Sequence, residues 1–377
     1  MRALLLNQFY PPDVAPTGQA LHDLARALSA RGHEVDVLHS RASSARTRTV
    51  AKGLDYASYA VRLAVASRSL SRPDVIVTLT TPPYLGLLSS LVPRWRGVPR
   101  VEWSMDVYPD VLAAHGLVGR DGIVHRALSS LARRQLRNAA AVIALGPFMA
   151  RVLEPRVADA RRVTWVPLWG ERVEGPAPPA EVAEIRRSRG WTDGDLVLLY
   201  SGNMGRAHRI SEFLEAAGRL GPDGPRWAFL GGGFRRAEVL AFTRERPAAR
   251  VELLPYEPRE RLRASLSAAD VHLASLSAGW EGLIAPSKVQ AAFAVGRPIL
   301  FLGPRDNEAS SWVEESGGGW VVAEGDVPGL LAAVDEARDP AERSRRGQAG
   351  LAFARARFDP ARNVERVARI VEDAALT

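Results

Sequence analysis

Short apolar runs alternate with longer amphipathic segments along the chain, and this alternation constrains the fold more than any other feature. The run "RALLLNQF" (2–9) is followed by an amphipathic segment that ends at Gly32, and then by "EVDVLHS". Runs that are apolar throughout are typical of strands buried on both faces, and intervening helices are typical of parallel βαβ units. The pattern therefore predicts an α/β protein built on parallel sheets.

The alternation occurs in two sets, separated by a segment rich in proline, glycine and charge. The first set extends to "AAVIALG" (140–146), and the second runs from "LVLLYSG" (196–202) to "GWVVA" (319–323). Two doubly wound domains are predicted, with ligands at the carboxyl ends of the strands. The predicted organisation is an N-terminal domain at 1–168, a linker at 169–192, a C-terminal domain at 193–355, and a final helix at 356–377 that is free to cross back to the N-terminal domain.

Composition removes several classes of site. The 377 residues include no cysteine, so disulfides and thiolate metal sites are excluded. No apolar stretch approaches the roughly 20 residues that span a bilayer, and the first run is too short for a secretory signal. No histidine pair has the i, i+4 spacing of a helical metal site. We expect a cytoplasmic protein without a metal.

Positive charge is concentrated in the first half of the chain. Residues 1–170 contain 22 Arg and Lys against 12 Asp and Glu, whereas 171–377 contain 28 against 30. A basic half suits nucleic acid, an anionic membrane or a phosphorylated substrate, and no nucleic-acid motif is present. The segment "GLLSSLVPRWRGVPR" (86–100) indicates an apolar helix that ends in Trp95 and arginines. It suits peripheral contact with the inner face of the plasma membrane, or else it is an ordinary core helix with a basic end.

Two glycine-containing turns follow strands in the second set. In "YSGNMGRAHR", Gly202 and Gly205 precede a helix, and Arg206 and Arg209 add charge. Backbone N–H groups of such a turn, together with arginine, bind phosphate, although glycine is also used where only a positive φ is needed. In "FLGGGFRR" (229–236), Gly232 lies in a similar turn that either lines a ligand or is a plain strand-to-helix connection.

Several other polar residues follow predicted strands. Asp106 in "VEWSMDVYPD" is either catalytic or structural, whereas Asp110 is a helix cap or a surface acid. Glu308 either binds nucleotide or sugar hydroxyls or is a carboxylate favoured at a helix N-terminus, and Asn307 has the same alternatives. Thr17, beside Gly18, is a ligand contact or a helix cap.

Four segments in order resemble the GT-B-fold glycosyltransferases of the large retaining family 4, in the branch that makes bacterial surface polysaccharides. The likeness runs nearly end to end, and its segments are "NQFYPPDVAPTGQALHDLARALSARGHEVDVL", "MDVYPD", "LYSGNMGRAH" and "LSAADVHLASL" followed by "PSKVQAAFAVGRPIL". The resemblance implies an α/β GT-B fold, with two Rossmann-like domains facing a central cleft.

The resemblance also implies a function and a set of residues. A nucleotide-diphosphate sugar would bind mainly to the C-terminal domain, and a carbohydrate acceptor, lipid-linked in view of the basic first half, to the N-terminal one. Arg206 and Lys288 would contact the diphosphate with Arg209 as a helper, Asp106 would lie near the acceptor hydroxyl or the donor sugar, and Gly18 would let its loop approach the donor. Arginine and lysine would do the work of a metal, so the donor is a co-substrate and no cofactor is expected.

One residue departs from the family pattern. Many members have a ribose-binding glutamate where this chain has Ala291, and Glu281 is two residues out of register with a second one. A non-catalytic partner subunit therefore stays open as an alternative. A GT-B-fold sugar-nucleotide epimerase, which would share the phosphate-binding loops, is the other. Lys288 is notable because the chain contains only one other lysine, Lys52, but 48 arginines.

Overall fold

The computed structural model describes residues 1–13, 15–39, 59, 61–63, 65–169 and 175–377. These residues form two compact units, each built around a six-stranded parallel sheet. The first unit comprises Met1–Trp169, Gly282–Ala285 and Pro360–Thr377, and the second comprises Gly170–Glu281 and Pro286–Asp359.

All neighbouring strands in both sheets are parallel, as the uniformly apolar runs predict. The first sheet has the order β2-β1-β3-β4-β5-β6, and the second has the order β12-β11-β10-β7-β8-β9. Both orders are doubly wound, and the second is that of a Rossmann domain. The strands are β1 (Arg2–Leu6), β2 (Glu34–Leu38), β3 (Val75–Leu79), β4 (Arg100–Trp103), β5 (Ala141–Ala144), β6 (Val163–Trp165), β7 (Val197–Ser201), β8 (Arg226–Leu230), β9 (Val251–Leu254), β10 (Val271–Ser275), β11 (Ile299–Leu302) and β12 (Gly319–Val322).

Helices cover the faces of both sheets. In chain order they are α1 (Pro16–Ala30), α2 (Leu85–Ser90), α3 (Asp110–Ala114), α4 (Ile123–Arg137), α5 (Pro147–Leu153), α6 (Pro179–Ser188), α7 (Ser211–Leu220), α8 (Arg236–Glu245), α9 (Arg259–Ser267), α10 (Lys288–Ala294), α11 (Glu308–Ser316), α12 (Val327–Glu336), α13 (Pro340–Arg357) and α14 (Pro360–Ala375).

Helix α14 completes the first unit. It packs beside α1 and buries Val367 and Val371. At the end of α1, Arg31 pairs with Glu365 and Glu372 of α14, each at 2.6 Å. The last helix of the chain is therefore a structural part of the N-terminal unit.

The described part of the predicted linker is packed structure of the second unit. Ile185 of α6 is buried together with Trp191, and α6 packs against α9. Residues 170–174 of that linker lie outside the described residues. Proline and charge in this stretch mark the start and the solvent face of a helix.

A short segment inserted in the second half of the chain, Gly282–Ala285, belongs to the first unit. The backbone N–H of Val107 donates to Leu283 O at 3.0 Å, and Asp106 and Ile284 form an isolated antiparallel bridge. Gly282 has φ +66°, and a Cβ at this position would lie 2.8 Å from Phe148 O. Glycine is required here because the segment lies directly against α5.

The segment 86–100 is not the single apolar helix that both interpretations of it assumed. Helix α2 ends at Ser90, and a 3₁₀ turn follows at Pro93–Trp95. Trp95 is fully buried in the core of the first unit, and Arg100 is buried and donates to Trp95 O at 3.1 Å. Proline at position 93 separates the two elements, so the tryptophan faces inward.

Candidate functional site

Lys288 begins α10, and its ammonium group lies in the second unit between an aromatic ring and an imidazole. Nζ is 4.8 Å from the centre of the Tyr200 ring and 3.3 Å from Nε2 of His208. A Cβ on Gly202 would lie 3.7 Å from Lys288 Cε. Among the residues that the structure describes, no carboxylate pairs with this ammonium group, so its charge is available to an anionic ligand.

These groups meet at the topological switch point of the second sheet. His208 follows β7, and Lys288 follows β10, and these adjacent strands lead to loops that diverge to opposite sides. Ligands of open α/β sheets bind in the crevice that such loops create at the carboxyl ends of the strands. Neither Tyr200 nor His208 was selected from the sequence.

Burial controls the protonation of the pair. Burial lowers the pKa of Lys288 to about 8. It also lowers the pKa of His208 to about 3, and the Lys288 charge adds to this effect. At pH 7, Lys288 is therefore mainly charged and His208 is neutral.

Two glycine turns form the surface beside Lys288. The N–H of Gly202 donates to Leu230 O at 2.8 Å, and the N–H of Met204 donates to Gly232 O at 2.6 Å. Gly231 has φ +126°, and a Cβ there would lie 2.3 Å from Gly202 O. The glycines let the two turns pack backbone to backbone, with the Tyr256 ring lying against Gly231 and Gly232.

A helix follows the turn after β7. Helix α7 begins at Ser211, six residues after Gly205. A Cβ on Gly205 would lie 3.2 Å from the Asn203 side chain. Residues 206–210 connect Gly205 to the first turn of this helix.

The two arginines of this turn have different partners. Arg206 is exposed, and its guanidinium lies 3.5 Å from the centre of the Phe234 ring, with no carboxylate partner among the residues described. Arg209 donates from Nε to Glu212 Oε1 and from Nη1 to Glu324 Oε1, both at 2.8 Å. Arg206 therefore keeps an available charge, whereas the charge of Arg209 is balanced within the protein.

Asp106 and Gly18 lie in the first unit. The backbone N–H of Asp106 donates to Thr80 Oγ1 at 3.2 Å, and burial raises the pKa of its half-buried carboxyl to about 6. A Cβ on Gly18 would lie 3.0 Å from both Phe9 C and Tyr10 N. Gly18 thus permits α1 to pack against the preceding loop. Thr17 is not a cap, since the N-cap position is Ala15.

Two of the other candidate polar residues have structural roles, and a third, Glu308, is buried beside one of them. Asp110 starts α3 and pairs with Arg156 at 2.6 Å. The Asn307 side chain accepts from the N–H groups of Ala309 and Ser310, which caps α11. Glu308 is fully buried in the first turn of that helix. Asn307 therefore has a capping role.

Comparison with known proteins agrees with this architecture. The glycosyl transferase 4-like domain family matches residues 17–169. This part of the chain is similar to a glycosyl transferase 4-like domain, and the fold is GT-B. Two curated relatives extend the match beyond that domain. The probable glycosyltransferase WbjE of Pseudomonas aeruginosa is 28% identical over 78% of this chain and 73% of its own length.

The second relative is the putative colanic acid biosynthesis glycosyl transferase WcaI of Escherichia coli, 25% identical over 89% of this chain and 92% of its own length. Among solved structures, Anabaena Alr3699/HepE in complex with UDP-glucose superimposes with a TM-score of 0.73 at 15% identity, covering 99% of this chain and all of that one. The fold class and the recognised family resemblance are confirmed. No helix among the described residues is long and apolar enough to cross a membrane.

Proposed function

We propose that this glycosyltransferase uses Lys288 and Arg206 to bind the diphosphate of a nucleotide-sugar donor and transfers the sugar to a carbohydrate acceptor in polysaccharide synthesis. The ammonium group of Lys288, unneutralised among the described residues and set beside two glycine turns, carries the proposal. The glycosyltransferase relatives and the UDP-glucose complex of the structural neighbour support it.

The reaction breaks the bond between the anomeric carbon and the diphosphate oxygen, while the acceptor hydroxyl oxygen bonds to that carbon. Negative charge accumulates on the leaving diphosphate. Preorganised cations stabilise such charge most effectively where water is scarce. Lys288 provides a half-buried point charge, and Arg206 provides an exposed guanidinium suited to bidentate phosphate contact. Arg209 supports the turn through Glu212 and Glu324 instead of contacting phosphate.

Asp106 is proposed to orient the acceptor hydroxyl or the donor sugar. In a retaining reaction, the departing diphosphate oxygen accepts the hydroxyl proton, so Asp106 is not required as a base. The anomeric configuration of the product, measured by NMR, tests retention.

Metal independence is part of the same proposal, because Lys288 and Arg206 are placed to supply the charge that a divalent ion would otherwise provide. Activity is expected to be unchanged after EDTA treatment and dialysis. A complete loss that Mg²⁺ or Mn²⁺ restores would show that these two residues are not sufficient.

The donor is tested by a thermal-shift screen against UDP-, GDP-, dTDP- and ADP-sugars, followed by product analysis of the donor that stabilises the protein. Transfer to an oligosaccharide or a lipid-linked acceptor supports the proposal. Interconversion of the sugar without an acceptor would favour the epimerase, and an absence of both binding and turnover would favour a non-catalytic partner subunit.

A lipid-linked acceptor and peripheral membrane contact are supported by helix α4 of the first unit. Ile123, Val124 and Leu131 are exposed on it, at 76%, 55% and 40%. Val124 and Leu131 are seven residues apart and share a face, and Arg126 and Arg134 are exposed nearby. Exposed apolar side chains among arginines suit a helix that lies in an anionic membrane surface.

Vesicle flotation tests this surface. Replacing both Val124 and Leu131 by glutamate is expected to abolish flotation with phosphatidylglycerol vesicles, while the unsubstituted protein floats. Leu91→Glu is the matched control, since Leu91 is 68% exposed in the segment 86–100 that was first expected to contact the membrane. A loss with the control alone would return the contact to that segment, and no flotation of the unsubstituted protein would refute membrane contact.

A further inference from the structure

The tautomer of His208 is fixed by its first partner. Nδ1 lies 2.6 Å from the backbone oxygen of Ser275, and a carbonyl oxygen can only accept. Nδ1 must therefore carry the proton, which leaves Nε2 with a lone pair. His208 is 8% exposed, so water has little access to replace either contact.

The lone pair of Nε2 faces the Lys288 ammonium group at 3.3 Å. An ammonium has three donors and no acceptor, so Nε2 can accept one N–H and hold its direction. Tyr200 limits the other side, with its ring centre 4.8 Å from Nζ. The remaining N–H groups of Lys288 have no carboxylate partner among the described residues.

A neutral acceptor differs from a carboxylate in one decisive respect. A carboxylate at this position would orient the lysine but would also cancel its charge, whereas a neutral imidazole orients it and leaves the charge intact. The other charge near His208 is Arg235, and it pairs with Glu238 at 2.9 Å.

We propose that His208 is a positioning residue, whose Nε2 fixes the Lys288 ammonium beside the glycine turns without neutralising it. The Ser275 carbonyl anchors the imidazole, and the Ser275 hydroxyl also accepts from the backbone N–H of Arg209 at 2.9 Å. Ser275 on β10 therefore holds the backbone at Arg209 directly and the Lys288 side chain indirectly, through His208. The link to catalysis rests on the proposed diphosphate role of Lys288.

A matched pair of substitutions separates the two contacts of His208. In His208→Gln, the side-chain carbonyl can take the place of Nε2 and keep an acceptor for Lys288. In His208→Asn, the side-chain N–H₂ can take the place of Nδ1 and keep the bond to Ser275, but the acceptor is lost. A merely structural histidine would tolerate asparagine better, whereas a positioning histidine should tolerate glutamine better.

Lysine NMR measures the effect without any substrate. The chain contains only Lys52 and Lys288, so ¹³Cε and ¹⁵Nζ labelling gives two resolvable signals that Lys288→Ala assigns. A hydrogen bond to the charged form raises a pKa, so loss of the acceptor should lower the pKa of Lys288 by about half a unit or more in His208→Asn. His208→Gln should stay close to the unsubstituted protein. Equal pKa values for Lys288 in the two variants would overturn the proposal.

Kinetics and histidine NMR complete the test. With an active donor, kcat should fall about 10-fold in His208→Asn, the scale of losing an orienting partner, with glutamine restoring most of it. If either variant fails to fold, ¹⁵N shifts of His208 in the unsubstituted protein decide instead: an Nε2–H tautomer or an imidazolium at pH 7 refutes the inference. Absence of donor binding together with the expected Lys288 titration would reject the proposed function and retain the positioning role.

Discussion

Glu102 provides a test of how burial changes an acid inside the first unit. It lies on β4, is 3% exposed, and accepts on Oε2 from Thr78 Oγ1 at 2.5 Å and from Gln135 Nε2 at 2.9 Å. Its Oε1 has no hydrogen-bond partner among the described residues, and a Cβ on Gly86 would lie only 1.7 Å from it. Burial raises the pKa of Glu102 from 4.5 to about 7.

The direction of the pH effect follows from this shift. The folded protein holds the proton more tightly than the unfolded chain, so stability is greatest below pH 4.5 and falls as the pH rises through about 7. This rise in the pKa of Glu102 corresponds to roughly 3 kcal/mol at full ionisation. The substitution Glu102→Gln mimics the protonated acid and removes this loss. We expect the variant to gain about 2 to 3 kcal/mol relative to the parent between pH 5 and pH 8.

The assay is denaturant unfolding of the parent and the variant at pH 5 and at pH 8. The difference in unfolding free energy between the two proteins is compared at the two pH values, so that the titration of other groups cancels. Glu154→Gln, an exposed acid in the same unit, is the control and should show no pH-dependent difference. If Glu102→Gln changes stability equally at pH 5 and pH 8, then Glu102 is not the buried acid that this reasoning requires.

Three further outcomes concern the second unit and the reaction. Lys288→Ala should lower kcat/KM about 100-fold or more in steady-state assays, from loss of one preorganised charge, while the exposed Arg219→Ala should change it little. The value of kcat/KM should fall above about pH 8, as Lys288 loses its proton, and below about pH 6, as Asp106 gains one. If the decrease at high pH is unchanged in Lys288→Arg, the assignment of that decrease to Lys288 is wrong. Gly231→Ala should cost about 1 to 3 kcal/mol in chemical denaturation, since its φ of +126° and its contact with Gly202 O both oppose a Cβ; an unaltered midpoint would contradict this.

The fold was predictable from the sequence because fully buried parallel strands leave a strong apolar signal. The ends of the strands were harder to predict from the sequence. The strand predicted at 2–9, for example, ends at Leu6, where the chain leaves the sheet. Strand β6 escaped prediction since "VTW" is three residues long and follows two arginines at the sheet edge. The end of the helix within 86–100 was not predicted, because a single proline decides whether such a segment continues as a helix or turns.

The site was predictable only where a motif marks it. Lys288 and the glycine turns follow strands in recognisable segments, so their location was accessible. His208 was not, because an isolated histidine in a loop gives no signal of which carbonyl or amine it will meet 67 or 80 residues away. The partners of Arg209 depend equally on tertiary packing, since Glu324 is distant in sequence.

The discontinuity of the first unit has a consequence during synthesis on the ribosome. Its sheet is complete at Trp165, but helix α14, which packs beside α1, is made only after the intervening residues 170–359. At roughly 5 to 20 residues per second, that interval lasts about 10 to 40 s. During this time α1 is present without the helix that packs beside it in the folded unit. The N-terminal unit can therefore be completed only after residues 170–359 have been made.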